Sequence, residues 1–122
     1  MFYISILYIT YIYAPFQLRP ITLSRVIELA HKYNIPVIVD AAAEIPPSGN
    51  LKKFISEGAD MVTFSGGKGI KGPQSSGILC GKKDLIDAAK LNSLNYHSHH
   101  ANIGRPMKVC KEEIIGLMVA LE

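Results

Sequence analysis

Apolar positions recur along this chain with two different spacings. In residues 22–34, "TLSRVIELAHKYN", an apolar residue returns every three or four positions, and this spacing predicts an amphipathic helix. Thr22 is a suitable N-cap residue, and Asn34 marks the expected end of the helix. The residues predicted to face the core are Leu23, Val26, Ile27 and Ala30.

Short runs that are apolar throughout predict buried strands between the helices. One run, "IPVIVD", ends at the carboxylate of Asp40, and a second, "ADMVTF", ends just before Ser65. "SSGILCG" predicts a further strand. Because strands alternate with helices, the sequence predicts an α/β fold whose sheet is covered by helices on both faces.

Three further helices continue this alternation. "LKKFISEG" predicts a short helix that ends at Gly58, "KKDLIDAAKLNSL" predicts a second, and "KEEIIGLMVALE" predicts a third. The residues predicted to face the core are Leu51, Phe54 and Ile55 in the first of these helices, and Ile114, Leu117, Met118 and Leu121 in the last.

Residues 1–16, "MFYISILYITYIYAPF", are almost entirely apolar. They lack the positively charged start and the small-residue cleavage site of a signal peptide. A membrane span takes about 20 apolar residues, which is more than this run offers. The Ile, Tyr and Phe content favours a buried strand, with a hydrophobic anchor as the alternative, so we expect no membrane-spanning segment.

Composition narrows the class of protein. The chain has 122 residues, 48% of them hydrophobic, and a net charge of +3, which is typical of a folded domain. Its 13 basic residues are scattered among 10 acidic ones, so no basic face for nucleic acid is evident. Cys80 and Cys110 match neither a disulfide framework nor a zinc site, which favours a reducing compartment and the cytoplasm.

The glycine-rich stretch "TFSGGKGIKGPQSSG", residues 63–77, carries the candidate chemistry. Ligands of α/β sheets bind beyond the carboxyl ends of the strands, where Asp40 and Lys68 are both expected. A nucleotide phosphate loop would need a glycine in place of Val62, and Pro73 interrupts a dinucleotide fingerprint. Two main interpretations remain: a flexible turn with a surface lysine, or a lysine that forms a Schiff base with a flat aromatic cofactor.

Taken together, these segments resemble the fold-type-I pyridoxal-phosphate enzymes, and within them the family of bacterial selenocysteine synthase and D-glucosaminate-6-phosphate ammonia-lyase. The match is carried by "PVIVDAAAEIPP", "TFSGGKGIKGPQSSGILCGKKDLI" and "IGRPMKVCKEEIIGLMVALE". The resemblance implies the large domain of that fold, a mainly parallel sheet flanked by helices. Residues 1–122 are then expected to be part of that domain and to run into the connection to the small domain. The upstream cofactor-phosphate turn and the small domain itself are expected to be absent.

The same resemblance assigns the cofactor site. Lys68 is expected to hold pyridoxal 5′-phosphate as a Schiff base and then to move a proton at the substrate α-carbon. Asp40 is expected to keep the pyridine nitrogen protonated. Ser65 is expected to bind the cofactor phosphate, which Gly66 and Gly67 allow the backbone to approach.

Candidate substrate contacts carry less specific signals. The candidates are Gln74, His97, Arg105 and Lys108. The two basic residues suit a carboxylate or phosphate group, with a structural ion pair as the alternative. For the histidine cluster that also includes His99 and His100, three interpretations are open: substrate contact, metal binding or no role. No Cys or Asp/Glu constellation completes a metal site there, so we assign no metal.

We therefore expect a pyridoxal-phosphate lyase or transferase. Its reaction is elimination or replacement at the β-carbon of a small amino-acid or amino-sugar substrate, with or without a phosphate group. The alternatives are selenium transfer on L-seryl-tRNA(Sec), disfavoured because no basic surface is evident, and a catalytically inactive remnant of the fold. We expect the full-length enzyme to be a homodimer or larger homo-oligomer, and the isolated segment to be inactive.

Overall fold

The computed structural model of the chain describes residues 9–12, 21–93 and 103–122. Its strands are β1 (Ile9–Ile12), β2 (Val37–Asp40), β3 (Met61–Ser65) and β4 (Gly77–Gly81). Its helices are α1 (Leu23–Lys32), α2 (Asn50–Ser56), α3 (Lys83–Asn92) and α4 (Lys111–Ala120). Apart from β1, the apolar run of residues 1–16 lies outside the described residues.

The strands of the described residues form one four-stranded sheet in the order β1-β2-β3-β4. The pairs β1–β2 and β2–β3 are parallel, whereas β3 and β4 are antiparallel. The predicted α/β fold with a mainly parallel sheet is therefore confirmed. Parallel pairing places the ends of β2 and β3 at the same edge, where Asp40 is paired with Thr63.

The core lies on one face of this sheet. Val39 and Val62 are neighbours in the register of β2 and β3, and both are fully buried. Helix α1 covers this face, and α2 adds Phe54, whose ring centroid lies 6.3 Å from that of Phe64. The buried residues of α1 are Leu23, Ile27 and Ala30. Each fully buried Val, Leu, Ile or Phe side chain contributes about 1.5–3 kcal/mol relative to exposure.

The ends of α1 and α2 follow from local sequence. The Thr22 side chain accepts a hydrogen bond from the Arg25 N–H at the start of α1, as an N-cap residue does, and the same N–H donates to Thr22 O at 3.0 Å. Asn34, just after α1, has a φ of 54°, a left-handed conformation that Asn tolerates better than most residues. Gly58, after α2, has a φ of 106°, which glycine adopts without steric cost.

Helix coverage of the sheet departs from the prediction. The second face carries Ile38, Met61 and Thr63, all only half-buried, and Leu79, which is 42% exposed. The sequence predicts that helices cover both faces of the sheet. Within the described residues one face is buried and the other is only half-buried. The reason is that α1 and α2 both pack on the Val39 side of the sheet.

Two predicted helix faces are also corrected. Ile55 is 36% exposed, because α2 turns Leu51 and Phe54 toward the core instead. In α4, Leu117 packs against the core together with Ala120. The remaining predicted core residues of that helix are exposed: Ile114, Met118 and Leu121. No helix in the described residues is long and apolar enough to cross a membrane.

Candidate functional site

The candidate site is built at the edge of the sheet where β2 and β3 end. Asp40 is the last residue of β2, and its register partner Thr63 lies two residues before Ser65, the last residue of β3. Paired residues of a sheet point to the same face, as do residues two apart along a strand. Asp40, Thr63 and Ser65 therefore share the half-buried face of the sheet at this edge.

The Asp40 carboxylate is half-buried and accepts a hydrogen bond from the Ala42 N–H at 3.0 Å. Ala41 is fully buried, and its N–H donates to Thr63 O at 3.0 Å, which extends the strand pairing by one residue. These backbone bonds hold the chain just beyond β2. The orientation of Asp40 at the sheet edge is thus set by the sheet itself.

The loop that follows β3, residues 66–76, carries Lys68, and we call it the lysine loop. The Gly66 N–H donates to Ser76 O at 2.9 Å, and the Gly72 N–H donates to Gly66 O at 2.8 Å. The Lys71 N–H donates to Lys68 O at 2.9 Å. The backbone therefore folds into a closed loop, from which the Lys68 side chain extends into solvent.

The glycines of this loop have a reason that the sequence did not reveal. A Cβ atom on Gly66 would lie 2.1 Å from Ser76 Oγ, and one on Gly69 would meet the Ile45 carbonyl oxygen. A Cβ on Gly67 would lie 2.6 Å from Gln74 Cα. These distances are too short for any side chain. The glycines are thus needed for the loop to pack on its own backbone and on its neighbours.

This packing bears on the predicted roles of two glycines. The Gly66 N–H is already bonded to Ser76 O, so that donor is used within the loop. Gly67 O accepts a hydrogen bond from Gln74 Nε2 at 3.1 Å. Contact between these glycines and a cofactor phosphate stays a prediction, and in this structure both glycines contribute to the shape of the loop.

The candidate substrate residues lie in different segments of the chain. The Gln74 side chain is exposed and bonded to the lysine loop, and Arg105 and Lys108 are exposed in the segment that leads to α4. That segment is joined to the end of α3 by the Gly104 N–H, which donates to Asn92 O at 2.7 Å. His97, His99 and His100 lie outside the described residues. Within the described residues, no three His, Cys, Asp or Glu side chains are grouped to hold a metal ion.

A second cluster of charged groups, missed from the sequence, lies at the opposite edge of the sheet. Asp60, just before β3, is 3% exposed. Its carboxylate accepts from Lys82 Nζ at 2.6 Å, from the Val37 N–H at 2.7 Å and contacts His31 Nε2 at 2.9 Å. Burial alone would raise the pKa of Asp60, but the hydrogen bonds from Lys82, His31 and Val37 outweigh it and lower the pKa.

The same contact raises the pKa of Lys82, chiefly through its hydrogen bond to Asp60. A cavity of about 380 Å³ adjoins the pair, lined by His31, Pro36 and Leu85 among others. The cavity thus lies at the far edge of the sheet from Asp40 and Lys68. The cluster depends on the pairing of Met61 with Gly81, which brings the residues next to them, Asp60 and Lys82, together, and no local sequence pattern indicates that pairing.

Comparison with known proteins adds to this geometry. Residues 16–99 match the family model described as L-seryl-tRNA selenium transferase. The chain is 36% identical over 103 residues to a 5′-C-glycyluridine monooxygenase-decarboxylase from a Streptomyces species. It is 40% identical over 96 residues to the D-glucosaminate-6-phosphate ammonia lyase of Salmonella typhimurium. These two matches cover 84% and 79% of this chain but 23% of each relative.

A solved structure extends the similarity to three dimensions. The structure of a D-glucosaminate-6-phosphate ammonia-lyase matches with a TM-score of 0.76 and 32% sequence identity. The match covers 93% of this chain and 28% of that one. The chain therefore spans about a quarter of the length of the relatives that it matches, and most of its own length takes part in the match.

Proposed function

The chain belongs to the L-seryl-tRNA selenium transferase family of fold-type-I pyridoxal-phosphate enzymes, and we propose that it supplies the lysine and the carboxylate that hold this cofactor. The observation that carries the proposal is the register of β2 and β3. It brings Asp40 at the end of one strand to the same sheet edge as the lysine loop that follows the other. A solvent-accessible amine and a half-buried carboxylate are thereby offered to one ligand.

The chemistry of these groups fits pyridoxal 5′-phosphate. Lys68 offers, on an exposed side chain, the primary amine that would hold the cofactor through its aldehyde. Its pyridine nitrogen is best held protonated by a carboxylate, which Asp40 offers at the sheet edge. The Ser65 hydroxyl, on the same face as Asp40, is a donor for its phosphate, with the backbone of Gly66 and Gly67 beside it.

Each residue then has a defined task in the reaction. When bound, the cofactor supplies an electron sink for the negative charge that develops at the substrate α-carbon. Asp40 keeps a positive charge at the ring nitrogen, since an opposite charge nearby favours the protonated form. The Lys68 amine would move the proton at the substrate α-carbon as general base or acid.

The reaction that we propose is elimination or replacement at the β-carbon of a small amino-acid or amino-sugar substrate. The ammonia lyase among the relatives, whose name includes a phosphorylated amino-sugar acid, supports this class of substrate. The exposed side chains of Arg105 and Lys108 suit a carboxylate or phosphate of such a substrate. Gln74, and His97 outside the described residues, are further candidates for contact with it.

A second candidate function is selenium transfer on L-seryl-tRNA(Sec), which the family match favours. Against it, the chain's 13 basic and 10 acidic residues give little excess positive charge for binding a polyanion. A third possibility is a remnant of the fold that has lost activity. The presence of Lys68 and Asp40 at one sheet edge favours an active site over such a remnant.

We also propose that these 122 residues act as part of a longer subunit. That subunit forms a homo-oligomer in the cytoplasm. The chain corresponds to 23% of the length of its relatives, as expected for part of a cofactor-binding large domain. Apolar residues of α4 are exposed, with Ile115 at 61% and Val119 at 65%, and further protein would cover them. The free thiols of Cys80 and Cys110 fit a reducing compartment.

The test is to locate the covalent bond to the cofactor. The chain, and the longest reading frame that contains it, are incubated with pyridoxal 5′-phosphate, reduced with borohydride and mapped by peptide mass spectrometry. We expect the label on the peptide that contains Lys68, and its loss in Lys68→Ala with the fold intact. Label on Lys71 or another lysine, or no label on a folded protein, would refute the proposal. Release of ammonia from D-glucosaminate 6-phosphate, which the name of the ammonia lyase relative contains, tests the reaction class separately.

A further inference from the structure

Helix α4 packs against the backbone of the lysine loop. A Cβ atom on Gly66 would lie 2.9 Å from Leu117 Cδ1, and one on Gly72 would lie 3.2 Å from the same methyl group and 3.5 Å from Ala120 Cβ. Both distances to Leu117 are shorter than an optimal carbon–carbon contact of about 3.5–4.0 Å. The Leu117 side chain therefore lies directly against two glycines of the loop.

A second close contact reverses the arrangement, with the glycine on the helix. A Cβ atom on Gly116 would lie 2.9 Å from Pro73 Cγ and 3.4 Å from its Cδ. Glycine inside a helix is less favourable than alanine, so this position weakens α4. The gain is a close approach between the helix and the proline ring of the loop.

Hydrogen bonds connect the residues that α4 contacts to the residues just before Lys68. Pro73 lies between Gly72, whose N–H donates to Gly66 O at 2.8 Å, and Gln74, whose Nε2 donates to Gly67 O at 3.1 Å. Gly66 and Gly67 come just before Lys68 in the chain. The part of the loop that α4 touches is thus bonded to the residues that lead into Lys68.

We propose that Gly116 and Leu117 are positioning residues for Lys68, which fix the lysine loop so that the amine meets the cofactor. The inference rests on the proposed cofactor role of Lys68 and extends it to a helix with no predicted place in the site. Because the Lys68 side chain is long and exposed, the position of its backbone determines where the amine can reach. The exposed residues of α4, such as Val119, have no such part.

The experiment compares helix and control variants in the longest reading frame that contains the chain. Gly116→Ala adds a methyl group against Pro73, and its matched control is Gly49→Ala, because a Cβ on Gly49 meets no atom within 4 Å. Leu117→Ala is paired with Leu29→Ala on α1, at a position 38% exposed, and Leu117→Met tests rescue by a side chain of similar volume. Each variant is measured for borohydride-trapped cofactor on Lys68, for the pH dependence of the cofactor's visible absorbance, and for thermal unfolding.

We expect Gly116→Ala and Leu117→Ala to lower the rate of trapping at Lys68 by about tenfold or more, since small misplacements of reacting groups have effects of this size. Both should shift the pH profile of absorbance, while the controls and Leu117→Met stay close to the unsubstituted protein. For Gly116→Ala the loss of trapping should be larger than any fall in unfolding temperature explains, because the higher helix propensity of alanine offsets part of the cost of the new contact with Pro73.

Trapping and pH profiles equal to those of the controls would overturn the inference and leave the role of Lys68 standing. Loss of trapping that only follows a lower unfolding temperature in both helix variants would also overturn it, because the effect would then be one of stability. Absence of trapping in the unsubstituted protein would instead overturn the proposed function, and this inference with it. The unsubstituted protein is therefore measured first.

Discussion

The two edges of the sheet each present an aspartate, and they differ in how far that aspartate is already bonded. At the edge before β3, Asp60 is 3% exposed and bonded to Lys82, His31 and the Val37 N–H. At the edge after β2, Asp40 is half-buried, and among the described residues its carboxylate accepts a hydrogen bond from the Ala42 N–H. Donors of the protein occupy both oxygens of the Asp60 carboxylate, whereas the Asp40 carboxylate has positions left to accept further hydrogen bonds.

The difference separates a carboxylate that serves the stability of the fold from one that we propose binds a ligand. A buried carboxylate is tolerated when hydrogen bonds replace the water that it loses, and Asp60 meets this condition on its own. A carboxylate that binds a ligand must keep lone pairs for it, and this is the use that we propose for Asp40. Substitutions at the two edges should therefore change different measured quantities.

The largest effect is expected for Asp40→Asn. The cofactor should still attach to Lys68 and the fold should remain, but ammonia release from an active substrate should fall by about 10²–10³-fold, as for loss of one electrostatic contact in other enzymes. The reason is that a neutral amide does not hold the ring nitrogen protonated. Steady-state kinetics should place the loss in kcat more than in KM.

Glu44→Gln is the matched control for Asp40→Asn. Glu44 lies in the turn just after β2 and is half-buried like Asp40. An equal loss of activity in Glu44→Gln, or nearly normal turnover in Asp40→Asn, would show that the functional carboxylate has been misassigned. It would also remove the contrast between the two edges.

The next effect is expected at the opposite edge. Asp60→Asn should lower the free energy of unfolding by about 2 kcal/mol, because hydrogen bonds to a buried charged group are lost and the partial exposure of His31 and Lys82 limits the effect. Trapping of cofactor on Lys68 should be unchanged. Urea unfolding measures the first quantity and borohydride labelling measures the second.

Asp87→Asn serves as the comparison for Asp60→Asn. Asp87 forms ion pairs with Lys83 and Lys90 on the surface of α3, and exposed pairs of this kind contribute little. We expect no measurable change in stability for this variant. If Asp87→Asn lowered the free energy of unfolding as much as Asp60→Asn, burial would not explain the contribution of the Asp60 hydrogen bonds to stability.

The smallest effect is a pH dependence. The pKa of Asp60 is lower in the folded protein than its usual value of 3.8, so the folded state binds fewer protons at acidic pH than the unfolded state does. The resulting stability is present above about pH 5 and is lost as pH falls through the folded pKa. The difference in unfolding free energy between the unsubstituted protein and Asp60→Asn should thus shrink below about pH 4. A difference that stays constant down to about pH 2 would contradict this assignment.

Much of the fold could be predicted because its signals are local. The spacing of Leu23, Ile27 and Ala30 indicates α1, Thr22 marks its start, and the apolar runs before Asp40 and Ser65 indicate β2 and β3. The meeting of two strand ends could also be predicted, since the carboxyl ends of parallel strands share an edge. These predictions needed no knowledge of which side chains touch.

Other features depend on contacts between segments far apart in the chain. The pairing of Asp60 with Lys82 follows from the antiparallel register of β3 and β4, and the contact of Leu117 with Gly66 follows from where α4 packs. The exposure of Ile55 follows from which face of α2 packs on the core, the face of Leu51 and Phe54. Apolar spacing indicates which helix faces are apolar but not which neighbour each face meets.

The antiparallel direction of β4 has a consequence for the order in which the site can form. The lysine loop is closed by the pairing of Ser65 with Gly77, whereas Asp40 reaches Thr63 only through a crossover that contains α2. The entropy lost on closing a chain segment grows with its length, so the hairpin around Lys68 is the less costly of the two closures. The loop that carries Lys68 can therefore close before the crossover brings Asp40 to the same edge of the sheet.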